Sequence, residues 1–274
     1  MYSGTTFTNY SGAILGAHQK IDRVAYKYLS MITPSMDGFP DRKHILHFEG
    51  KNGPDGIKSK SPAKDEPWHF YDPFDEEDMQ LLDTIQDHYN ELVKQLKKGS
   101  SERAAFDAAW LAHAIVDGLT PAHHYPFEEK LLELKGENSL EYRDSIKNKI
   151  YIQGDTKLET FKKSWALWGT DGLISMHFLF ETGVAFIIAP LSMKKARIND
   201  HDLETLIDIG YLEWFKRSAR EIAILNMYDR FQSKGWTPKL VRDVRNELAP
   251  IIIKTVTLVW YSAMRDAGLL KTKK

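Results

Sequence analysis

Apolar residues recur at three- and four-residue spacings through most of the long segments of this chain. That period gathers them on one face of an α-helix, whereas the two-residue alternation of a half-buried strand is scarce. Helices are predicted over Ile14–Met31, Phe74–Lys98, Ser101–Leu119, Glu128–Lys149, Leu158–Trp168, Gly172–Pro190, Leu203–Ser233 and Pro238–Gly268. The second opens with Asp75, Glu76 and Glu77, which suit a positive helix N-terminus, and closes on Lys97-Lys98-Gly99. Between the first two, Gly38–Pro73 reads as irregular, with turn signals at Asn52-Gly53-Pro54 and Asp55-Gly56. At about 150 residues per domain the 274 residues would make two domains. No linker, low-complexity tract or internal repeat divides them, so the expectation is one all-α, multi-helix domain.

Composition removes several function classes. Lys and Arg total 37 against 38 Asp and Glu, so no global positive field favours duplex nucleic acid. The absence of Cys excludes disulfides and thiolate metal sites, which leaves the ten His and the carboxylates as ligands. The N-terminus has neither a basic n-region nor a sustained apolar core. The expectation is a cytoplasmic chain, or an exported one with its signal removed. Leu173–Leu191 is the most apolar stretch, but it contains His177, Glu181 and Pro190. It reads as a buried helix, and no transmembrane segment is expected.

Two pairs carry the chemistry. His113 and Asp117 lie four apart in WLAHAIVDG, as do His177 and Glu181 in MHFLFETG. Residues at i and i+4 share a helix face, so each pair can address one ion. Apolar neighbours surround both, and a buried carboxylate is costly unless paired or metal-bound. A single such pair is most often a hydrogen-bonded structural element. Two of them, with His123 just past the end of the first helix, favour a metal, and zinc accepts this set of imidazoles and carboxylates. A further element, PWHFYDPF, places His69 and Asp72 among aromatics. Asp72 would either orient a ligand His or cap the helix that follows.

HFYDP, then H-x3-D-x5-H (His113, Asp117, His123), then H-x3-E (His177, Glu181), resembles the zinc-dependent phospholipase C family, whose superfamily includes the S1/P1 nucleases. The resemblance spans His18 to Glu181 and extends to the closing helix. It implies an all-α fold holding two to three zinc ions. One zinc would take Asp41, His69, His113 and Asp117. A second would take His123, His177 and Glu181, and a third His18 with Asp117 bridging. Asp41 would bind zinc or accept the proton of the attacking water, and the substrate would be a phospholipid or another phosphodiester, with transient contact at a membrane surface.

The chain departs from that pattern in three places. The family completes its third zinc with the backbone amine and carbonyl of an N-terminal Trp. Here no Trp precedes Trp68 and Met1 stands 17 residues before His18. The third site is therefore expected to be absent, weak or completed by something else. The interval Tyr125–Met176 is an insertion of about fifty residues, expected to form two helices near the mouth of the site. Arg42 and Glu66 stand where choline-specific members carry aromatics, which suits an anionic head group. His44 and His47, near Asp41, read as accessory ligands, substrate contacts or a solvated loop pair, and His88 and His201 as surface residues. Two alternatives stand beside the phospholipase C-like hydrolase: a single-strand nuclease/3′-nucleotidase of the S1/P1 type, and a non-catalytic metal-binding protein on the same fold.

Overall fold

A computed structural model of the chain describes residues 1–3, 16–50, 52–58, 68–135 and 151–270. Among these the regular structure is helical, with no strand. The helices are α1 (Ala17–Ile32), α2 (Arg42–Glu49), α3 (Pro54–Lys58), α4 (Gln80–Lys98), α5 (Ser101–Gly118), α6 (Phe127–Lys135), α7 (Lys157–Trp168), α8 (Leu173–Ile188), α9 (Asp200–Ile224), α10 (Met227–Lys234), α11 (Pro238–Asp243) and α12 (Ala249–Asp266).

The core forms where α12 meets α1, α4, α5 and α9. Trp260 of α12 is wholly buried, and its indole N–H donates to the Ala108 carbonyl of α5 at 3.1 Å. The alanines of α5 explain how so many elements converge on it. Ala104, Ala105, Ala108, Ala109 and Ala112 are all buried, and their short side chains let α1, α2 and α4 approach closely. Gly118, at the end of α5, is closely packed. A Cβ built there would lie 2.5 Å from Leu81 and 2.7 Å from the ring of Phe215. A second, smaller apolar cluster of Leu131, Ile152, Leu167 and Leu173 ties α6, α7 and α8 together.

Several boundaries differ from the sequence reading, each for a local reason. The stretch expected to be irregular contains α2 and α3, because Asp41 caps α2 by accepting from the Lys43 and His44 amides. Helix α4 starts at Gln80 rather than Phe74. The Asp72 side chain accepts from Phe74 N–H, and that of Asp75 accepts from Glu77 N–H, holding the chain in turns before the helix. The helix expected over Leu203–Ser233 is kinked at Gly210 (φ 79°, ψ 165°) and broken at Asn226 (φ 46°). The last helix widens into a π-turn at Val244–Leu248, just before Pro250, which has no N–H to donate. In the insertion, residues 136–150 lie outside the described residues, as do Glu66 and residues 4–15.

By length and composition alone, residues 157–188 and 238–266 are apolar enough to cross a membrane. The second is mostly buried in the core. The first is interrupted between Trp168 and Leu173, leaving helices of 12 and 16 residues. These are about 18 and 24 Å long, against a hydrocarbon core of about 30 Å.

Gly118→Ala forces a methyl group against Phe215, which is fully buried and has little room to move. Overpacking of this kind costs about 1–3 kcal/mol. The variant is expected to unfold at lower urea concentration with an unchanged m-value.

Candidate metal centre

Four segments deliver the polar side chains. Helix α5 presents His113 and Asp117 from one face, with His113 Nε2 at 3.2 Å from Asp117 Oδ2. After Gly118 the chain turns through Thr120 and Pro121 into a single 3₁₀ turn that ends on His123. His123 Nδ1 lies 3.0 Å from the Asp117 carbonyl oxygen, and this contact sets the ring so that Nε2 meets Glu181 Oε1 at 2.9 Å. Helix α8 supplies His177 and Glu181, whose Nε2 and Oε1 are 3.2 Å apart. The first turn of α1 carries His18, with Nε2 at 3.3 Å from Asp117 Oδ1. The rings of His18 and His113 stack at 4.1 Å, and those of His123 and His177 at 5.1 Å.

Among the described residues, two groups of donor atoms are close enough to hold an ion: His18, His113 and Asp117, and His123, His177 and Glu181. Within each, the atoms lie within 4.8 Å of one another. Two ligands about 2.1 Å from a tetrahedral ion stand about 3.4 Å apart. The 3.2–3.3 Å separations of His113 and His18 from Asp117, and of His177 from Glu181, match that spacing. Both ring nitrogens of His18 are buried without a properly oriented hydrogen-bond partner, as is Nδ1 of His177. A buried polar atom left so is costly, and an ion beside Asp117 would satisfy His18 Nε2. The donor set therefore fits one metal ion in each group.

Three participants were not found from the sequence. Glu49, at the end of α2, is fully buried, with Oε1 at 2.8 Å from His113 Nδ1 and 3.2 Å from His18 Nδ1. This hydrogen bond draws the ring proton of His113 to Nδ1 and leaves its Nε2 for the Asp117 side. Only its final position on an eight-residue helix within a stretch read as loop could have flagged it. Asp55, in α3, lies 3.9 Å from His113 Nε2. The third is the Met1 amine, 2.5 Å from Asp117 Oδ1 and 3.1 Å from Glu181 Oε1, between the two groups. The Tyr2 carbonyl, accepting from Ala17 N–H at 2.8 Å, anchors that strand of chain to the start of α1.

Asp41 is not brought here. Its side chain is 63% exposed and is occupied in capping α2 and pairing with His44. Asp55 stands beside the cluster instead, because α2 carries the chain inward before α3 begins. Arg42, His44 and His47 are exposed on α2, and His47 faces Asn52. None of them lines the cavity next to the cluster. Asp72 is exposed and engaged in its turn, not oriented on a ligand. His69 does reach the site. With Asp55, Trp68, Trp110, His113 and Asp117 it lines a cavity of about 20 Å³, room for about one water. His88, expected at the surface, lines the same cavity and contacts Asp107 at 3.2 Å.

The electrostatics are those of a buried, oppositely charged cluster. Burial pushes Asp117 up, but the Met1 amine, His123 and His113 outweigh it and hold the carboxyl well below its ordinary range. The same balance, with Met1 and His177, holds Glu181 low. Burial pulls His113 down, yet Glu49 and Asp117 keep it well above its usual value. The Met1 amine, opposed by burial and favoured by Asp117 and Glu181, rises to about 10. Protonated, it supplies the carboxylates with a cation. To ligate a metal it must lose that proton, as His113 must.

No family model matches this chain, and no curated protein matches it.

Glu49→Gln keeps the shape of the side chain but removes the charge that fixes the His113 imidazole. Metal affinity is expected to fall about 10- to 100-fold, measured by competition with a chromophoric chelator, with the helical circular dichroism unchanged. A pH effect follows from His123 and His124, which burial lowers to about 4. The unfolded chain takes up these protons below about 6.5 while the folded chain stays neutral, so protons favour unfolding between the two values. The metal-free protein is expected to lose stability steadily as pH falls from about 6.5 to about 4, read as a declining urea midpoint. An unchanged midpoint between pH 7 and pH 4.5 would contradict this burial of neutral imidazoles.

Proposed function

We propose that this protein is a zinc-dependent phosphodiester hydrolase of the phospholipase C type. The observation that carries the reading is the convergence of His18, His113 and Asp117 with His123, His177 and Glu181 around the Met1 amine. The resemblance in sequence assigns these residues to zinc, and their spacing supports that assignment. His69 lines the cavity beside the first group.

Zinc bound there would supply hydroxide near neutral pH and offset the charge of the phosphoryl oxygens. The chain's own residues do the rest. Glu49 keeps His113 in one tautomer, and the Asp117 carbonyl does the same for His123. Trp68 and Trp110 restrict the cavity to about one water. Asp55, in the wall of that cavity, takes the role first expected of Asp41. Its carboxylate accepts the proton of the attacking water and holds it for the leaving alkoxide.

The zinc-loaded protein is expected to hydrolyse bis-p-nitrophenyl phosphate. Asp55→Asn should lower kcat by about 100-fold or more at full zinc occupancy, while His113→Ala and His177→Ala should each lose bound zinc. Full zinc content in both alanine variants would overturn the ligand assignment. Full occupancy with no turnover would favour a non-catalytic metal-binding protein. Release of a phosphorylated head group from lipid, against 5′-nucleotides from single-stranded DNA, separates the phospholipase from the nuclease.

A further inference from the structure

Helix α7, in the insertion, has an unusual outer face. Leu158, Phe161, Trp165 and Trp168 are 64%, 63%, 59% and 48% exposed. Their spacings of three, four and three residues place them on one stripe, about 80° wide at 3.6 residues per turn. Lys157 and Lys162, both exposed, fall just outside the stripe, one on each side. Leu167 lies on the back of the helix, wholly buried with Leu131, Ile152 and Leu173. That small cluster fixes the roll of α7, so the aromatic side cannot turn inward without exposing Leu167. On the neighbouring helix α8, Leu179 and Phe186 are also exposed, at 49% and 58%, on the side away from His177 and Glu181. Solvent-facing helices ordinarily present polar residues there, and an exposed apolar stripe such as that of α7 marks an interaction surface.

The geometry points to an anionic lipid surface as the occupant of this face. The stripe is a convex ridge of Phe, Trp and Leu, which enters the boundary between head groups and acyl chains, while lysines on both flanks meet lipid phosphates. Lys163 is held by Glu159 at 2.9 Å and does not share in this. The helix is too short to span a bilayer, so α7 lies in the plane of the surface. This surface is built from residues outside the metal centre, and the inference holds whether or not that centre is catalytic.

The test is sedimentation of the full-length protein, in EDTA so that no lipid is cleaved, with vesicles of phosphatidylglycerol and phosphatidylcholine in equal parts. The wild-type chain is expected to bind these vesicles, and to bind pure phosphatidylcholine vesicles more weakly. Phe161→Ser combined with Trp165→Ser should weaken binding at least about 10-fold, with an unchanged thermal unfolding temperature because both side chains are exposed. Trp165→Phe should reduce the blue shift of tryptophan emission on vesicle addition while largely preserving binding. Failure of the wild type to sediment, or equal binding by the double variant, would overturn the proposal. So would equal binding to neutral vesicles. A dimer in solution that the double variant dissociates would assign the face to a second copy of the chain. None of these outcomes depends on hydrolysis of bis-p-nitrophenyl phosphate, so failure here is distinguishable from failure of the hydrolase reading.

Discussion

The carboxylate of Asp117 is the point on which the polar interior depends. It lies within a few ångströms of His18, His113, His123 and the Met1 amine, which come from three separate parts of the chain. A carboxylate this deeply buried would be pushed towards its neutral form, and only the surrounding cations and imidazoles keep it charged. Its backbone takes part as well, since its carbonyl oxygen orients His123. One residue thus holds the start of the chain, the first helix and the turn after α5 in a common arrangement.

Apolar packing makes this arrangement possible. The small residues of α5 let α1, α2 and α4 close around it, and Gly118 allows Leu81 and Phe215 to touch the helix next to Asp117. That closeness excludes water and sharpens every charge interaction inside. It also brings Glu49 beside the His18 and His113 rings, where its hydrogen bond sets the tautomer of His113. The segment around α6 and α7 follows a separate logic. Its few core residues, Leu131, Ile152, Leu167 and Leu173, are enough to fix α6 and α7 against α8, but too few to cover the aromatic face of α7.

Much of this was legible in the linear sequence. The 3.6-residue period announced the helices, and i,i+4 spacing placed His113 with Asp117 and His177 with Glu181, because helix geometry alone makes those pairs neighbours. His18, His123 and His69 were found through the order of their motifs. The failures share one cause. Asp41 and Asp55 both sit at turns before short helices, and nothing local distinguishes the one that caps a helix in solvent from the one that faces the site. Glu49 and the Met1 amine carry no spacing signal, since their partners are 64 and 116 residues away. Arg42 was read as a head-group contact through the same misplaced Asp.

By itself the sequence determined the helical class, the restriction of any metal to nitrogen and oxygen ligands, and the two His–carboxylate pairs, because periodicity and residue chemistry are local properties. Only the tertiary structure decided that the pairs converge, that Asp55 rather than Asp41 stands beside them, and that the chain's first amine lies between the two groups. Those facts depend on how α1, α2, α5 and α8 cross. That is set by side-chain volumes packed across long separations in the chain, which no local pattern encodes.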